Sequence, residues 1–89
     1  MFGDTPKIKD VKVAFGKLVK TFRKNKNLTQ QELADELSLS RITIQNLESG
    51  KNFTIDTLLK TLQHFDQLPD LMDYLNKKSQ EQDDINSLY

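Results

Sequence analysis

The stretch SRITIQNLESGK, residues 40–51, holds the side chains best suited to chemistry in this chain. On a helix capped by Ser40, Ile44 and Leu47 fall on one side. Arg41, Ile42, Gln45, Asn46 and Ser49 fall on the other, and most of these can donate or accept hydrogen bonds. Arginine can grip guanine with two parallel N–H groups, glutamine and asparagine fit adenine, and isoleucine can pack on a thymine methyl group. The competing reading of residues 41–46 is a polar helix face that meets only solvent.

Other chemistry is poorly supported. The chain has no cysteine and one histidine, His64, which excludes disulfides, thiolate metal sites and multi-histidine metal sites. There is no nucleophile–base set, no glycine-rich phosphate loop and no metal-ligand spacing, so neither an enzyme nor a cofactor is expected. The paired acids Asp83 and Asp84 lack partners at metal-binding spacing, and His64 reads as a partly buried surface residue. No apolar run approaches the roughly 18 residues of a membrane span, and residues at the N-terminus lack a signal-peptide core, so the expected compartment is the cytoplasm.

A reading helix must be held out by neighbouring elements, and the periodicity supplies five helices. The first spans about Val11 to Asn25, with Val11, Phe15, Leu18, Val19 and Phe22 as its apolar stripe. Thr29 and Glu32 form a T-x-x-E capping box that opens the second helix, Gln30 to Leu37, whose inner face is Leu33, Ala34 and Leu37. Ser40 caps the third, Arg41 to about Ser49, and Gly50 ends it. Thr54 caps the fourth, Ile55 to about Phe65, with Ile55, Leu58, Leu59, Leu62 and Phe65 as its stripe. Pro69 suits the first turn of a fifth, which runs to about Lys77 with Leu71, Met72 and Leu75 as its apolar set. The expected organisation is a flexible N-terminal arm at 1–10, one all-α domain at 11–76 and a disordered acidic tail at 77–89. The second and third helices are so close in sequence that they must cross sharply, near 90–120°.

The formal net charge of zero conceals a segregation: residues 1–53 carry +4 and residues 54–89 carry −4. Lysines from Lys7 to Lys26 supply most of the excess. Two readings of that run stand, a solvated helix face and a surface that attracts a polyanion in a salt-sensitive way.

Taken together, TQQELA, a short turn, SRITIQNLESGK and TLLKTL resemble, in order and spacing, the helix-turn-helix domain of Cro/cI-type (XRE-like) repressors. The resemblance covers about residues 12–65 and implies a five-helix, lambda-repressor-like fold that binds double-stranded DNA as a homodimer on an approximately palindromic operator. Position by position, it implies base reading by Arg41, Ile42 and Gln45. It implies phosphate or base-flanking contacts from Gln30, Ser40, Asn46 and Lys51, and a structural ion pair between Arg23 and Glu48. Ser38 stands where the family usually has glycine, and Phe53 where it usually has proline near the fourth helix. Leu68, Leu71, Met72, Tyr74 and Leu75 are the expected dimer seam. A weaker likeness, in TIDTLLKTLQHFDQLPDL and the short tail, is to HipB-type antitoxins, which repress their own operon and bind a HipA-type kinase toxin. That likeness leaves LMDYL, residues 71–75, open between helix and intersubunit strand.

Overall fold

The structure is a computed structural model that describes residues 5–87. It contains five helices: α1 Ile8–Asn25, α2 Gln30–Leu37, α3 Arg41–Glu48, α4 Ile55–His64 and α5 Leu68–Ser87. No strand occurs among the described residues. Residues 71–75, open between helix and strand from the sequence, lie inside α5.

Local side-chain bonds set the helix starts. Thr29 Oγ1 accepts from Glu32 N at 3.0 Å while Glu32 Oε1 accepts from Thr29 N at 2.8 Å, which closes the capping box of α2. The bond from the Thr29 backbone, and then that from its side chain, hold the Glu32 carboxyl below the ordinary carboxylate range. Ser40 accepts from Thr43 N at 3.1 Å, and Thr54 from Thr57 N at 3.1 Å. At the start of α1, Asp10 Oδ2 accepts from Lys7 N at 2.9 Å. Asp10 occupies the third helical position, so α1 begins at Ile8, three residues before the apolar stripe begins. Residues 8–10 of the expected arm are therefore helical, while residues 1–4 lie outside the described residues.

The core is made by Val19, Leu33, Ala34, Leu37, Ile44, Leu47, Leu58, Leu62 and Phe65, with Phe15, Phe22, Leu39 and Phe53 packed on it. Phe22 stacks on Phe65 with ring centroids 5.4 Å apart, joining α1 to the end of α4. Three residues of the stripes expected on α1 and α4 are not covered. Val11, Leu18 and Ile55 are exposed, because the flank they share between α1 and α4 has no further element over it.

α2 and α3 meet through a turn on Ser38, which is left-handed at φ 57°, ψ 41°. Leu39 N donates to Ala34 O at 2.8 Å, closing the end of α2 with the wider bond of a Schellman turn. Ser38 thus occupies the conformation that glycine adopts freely, at a cost of about 1 kcal/mol for an L-residue. Ser38→Gly is expected to stabilise the chain by roughly 0.5–1 kcal/mol after the greater unfolded-state freedom of glycine is deducted. Thermal unfolding should show Tm higher by about 3–6 °C. An unchanged or lower Tm would mean that unfolded-state entropy outweighs the relieved strain.

α5 differs most from the sequence reading. Of the tail expected to be disordered at 77–89, residues 77–87 continue the helix to Ser87, and residues 88–89 lie outside the described residues. Lys78 Nζ lies 3.4 Å from Glu81 Oε2, and Gln80 Nε2 donates to Asp84 Oδ1 at 3.0 Å. Such pairs, about 0.2–0.5 kcal/mol each, support a helix without any apolar stripe. No residue of α5 is buried, and the helix draws the molecule out to 52 × 30 × 22 Å.

Candidate nucleic-acid interface

α3 is the centre of the candidate surface. Its buried side is Ile44 and Leu47, both fully covered by the core. On the other side Arg41, Ile42 and Gln45 are exposed, Ile42 at 63%. Apart from those of Glu48, the side-chain bonds on this helix are Ser40 Oγ with Thr43 Oγ1 at 2.8 Å, the Ser40 cap, and Ser49 Oγ to Asn46 O at 3.1 Å. Arg41 and Gln45 take part in none of them. Their donors and acceptors face outward with no protein partner among the described residues.

The position of α3 is fixed by a buried polar cluster. Arg23 on α1 donates from Nε to Glu48 Oε2 at 2.6 Å and from Nη2 to Glu48 Oε1 at 3.0 Å. A third guanidinium donor, Nη1, reaches Leu28 O at 2.7 Å, and Gln30 Nε2 donates to Glu48 Oε1 at 3.1 Å. The Arg23 and Glu48 side chains are only 9% and 4% exposed. The hydrogen bond donated to Glu48 raises the arginine pKa further, outweighing the opposing effect of burial. One cluster thus ties the end of α1, the start of α2 and the end of α3. No buried side-chain nitrogen or oxygen among the described residues lacks a partner.

Beside this cluster, Gly16 lets α1 approach the last turn of α3. A Cβ there would overlap Glu48 O and lie 2.7 Å from Leu47 O. Neither this approach nor the roles of Leu28 and Gln30 emerged from the sequence reading. A glycine inside an otherwise regular helix was the available signal for the first, since it needs a packing reason to be there. Backbone carbonyls leave no signal of this kind.

The residues expected at phosphates are scattered around α3. The Gln30 side chain is half-buried and bonded to Glu48, so the groups at the start of α2 left open are the backbone N–H groups of Gln30 and Gln31. Ser40 is the cap of α3, and Asn46 is half-buried with its carbonyl accepting from Lys51 N at 2.8 Å. Lys51 is exposed in the loop after α3. Leu68 and Leu71 pack on the core, whereas Met72, Tyr74 and Leu75 are exposed. His64 has its Nε2 2.8 Å from Glu36 Oε1. Among the described residues no metal-holding cluster occurs, and no helix is long and apolar enough to cross a membrane.

Two short helices joined by a tight turn, the second capped and turned outward, define a helix-turn-helix unit. A family profile described as a helix-turn-helix domain matches residues 16–80. The chain therefore belongs to the helix-turn-helix family of Cro/cI type, a DNA-binding class. No curated protein matches the chain at a significant level.

Proposed function

We propose that the chain is a sequence-specific regulator of transcription that binds double-stranded DNA, with α3 in the major groove. It acts as a repressor, as a cytoplasmic homodimer on an approximately palindromic operator. The observation that carries this reading is the outward row on α3: Arg41, Ile42 and Gln45 are exposed, chemically suited to base edges and unused by the fold. Gln30 and Gln31 N–H groups at the start of α2, with Ser40, Asn46 and Lys51, surround that row and would meet the phosphates beside it.

The dimer has its own support. Leu59, Leu68, Leu71, Met72 and Leu75 line an open apolar groove of about 220 Å³ along α4 and α5. A second apolar groove, with Ile8, Val11 and Ile55 at its edge, lies along α1 and α4. Exposed apolar surface of this kind is what a subunit seam would cover. The antitoxin reading, with a HipA-type kinase as partner, has less behind it: residues 71–75, which that likeness left open to an intersubunit strand, are helical. Co-purification with a kinase-like protein would revive it.

Selection of bound duplexes from a random pool tests the main reading. The wild-type chain should enrich one palindromic sequence. Arg41→Ala should bind that sequence more weakly by about 1–3 kcal/mol and accept other base pairs at one position of each half-site. Unchanged selection by a chain carrying both Arg41→Ala and Gln45→Ala would remove α3 from the reading role.

A further inference from the structure

The lysines of α1 are not equivalent once folded. Lys9 and Lys12 line an open concavity of about 470 Å³ with Ser49, Gly50, Lys51 and Asn52. Ser49 belongs to the same outward row of α3 as Ile42 and Gln45, at spacings of three and four residues. The concavity thus begins where the candidate reading face ends.

Backbone geometry brings the three lysines together. Gly50 is left-handed at φ 73° and Asn52 at φ 43°, which folds the loop back on α1. A Cβ on Gly50 would stand 3.0 Å from Val13 Cα, so the loop lies directly on the α1 backbone. Lys51 is set beside Lys9 and Lys12 as a consequence. All three lysines are exposed, none is in a salt bridge among the described residues, and no acidic side chain lines the concavity. The nearby Asp10 carboxylate is bonded to Lys7 N. Three like charges around an open groove repel one another, and an anion seated among them relieves that repulsion.

We propose that this groove is a second phosphate-binding site, formed by Lys9, Lys12 and Lys51, which grips the DNA backbone flanking the base pairs under α3. The inference rests on the DNA-binding reading and adds α1 to it. Lysine suits such a site because it binds phosphate as a point charge and carries no base information. The contribution is therefore to affinity and register rather than to sequence preference. Residues 8–10 matter here, because the extra turn of α1 started by Asp10 carries Lys9 to the groove.

The test uses the full chain carrying Lys9→Gln and Lys12→Gln. Binding to the selected duplex and to an unrelated duplex is followed by fluorescence anisotropy across a series of salt concentrations. The slope of log K against log salt should shrink by about 2, near 0.9 for each lost contact. Affinity for both duplexes should fall by the same factor, so their ratio stays constant. A second variant, Lys60→Gln with Lys77→Gln, removes the same charge from α4 and α5 and should move the slope far less. A wild-type slope in the first variant overturns the site. So does an equal loss in the second variant, because net charge would then account for it. A wild-type chain that binds neither duplex overturns both the groove and the reading beneath it. If Arg41→Ala collapses the ratio between duplexes while the slope holds, the reading stands and the groove is judged on its own variant.

Discussion

Replacing Glu48 by alanine is expected to destabilise the chain by about 3–5 kcal/mol, as removal of one partner from a buried ion pair generally does. The Arg23 guanidinium would keep only Leu28 O as a partner, and the Gln30 amide would lose its acceptor. Arginine does not escape by releasing its proton, so the charge stays buried and unpaired. A domain of this size typically has roughly 4–13 kcal/mol in total. Tm should fall by more than about 12 °C in thermal unfolding followed by circular dichroism. A loss below about 1 kcal/mol would mean that water reaches the arginine in the folded chain.

The same pair replaced together should behave differently. Arg23→Met with Glu48→Leu removes both desolvated charges, so the double variant should be more stable than Glu48→Ala. The cluster does more than hold the fold, however. Glu48 is the last residue of α3, and Gln30 is the first of α2. Their bond sets where α3 ends relative to the helix that precedes it. A stable double variant with weakened operator binding would separate the placement of α3 from stability.

Much of this molecule is legible in its sequence because local rules and tertiary packing agree. Thr29, Ser40 and Thr54 each cap a helix, and those three helices start where the caps direct. Ser38 is left-handed, as glycine would be at that position. The errors have physical causes. The first helix was expected from Val11, whereas Asp10 at the third helical position draws its start back to Ile8. Residues 77–87 have no apolar stripe, so periodicity is silent there, whereas pairs such as Gln80–Asp84 support helix. Val11, Leu18 and Ile55 look like core residues because periodicity identifies an apolar face without saying what covers it. The outward row of α3 was recognisable from residue type and spacing. The groove of Lys9, Lys12 and Lys51 was not, because the residues that form it are about 40 positions apart and meet only through the loop at Gly50.

Gly16→Ala gives the sharpest opposition between local propensity and packing. In an exposed helix this change stabilises by about 1 kcal/mol, because alanine loses less backbone freedom than glycine. Here the new Cβ would overlap Glu48 O, with Leu47 O at 2.7 Å and Glu48 C at 2.8 Å. All three atoms belong to the backbone of α3, so no side chain can rotate to make room. Relief requires α1 to slide away from α3, which opens the packing between these two helices and lengthens the bonds from Arg23 to Glu48. Overpacking of this kind costs about 1–3 kcal/mol or more, and a clash with rigid backbone belongs at the upper end. The net expectation is a loss of about 2–3 kcal/mol, with Tm lower by roughly 10–20 °C. Lys17→Ala, one residue on and exposed, should leave Tm within a few degrees of wild type. A rise in Tm for Gly16→Ala would show that α1 and α3 stand further apart than this structure has them. Residual binding to the operator, measured well below the lowered Tm, should also fall, because the displaced turn carries Glu48 and the end of the reading row.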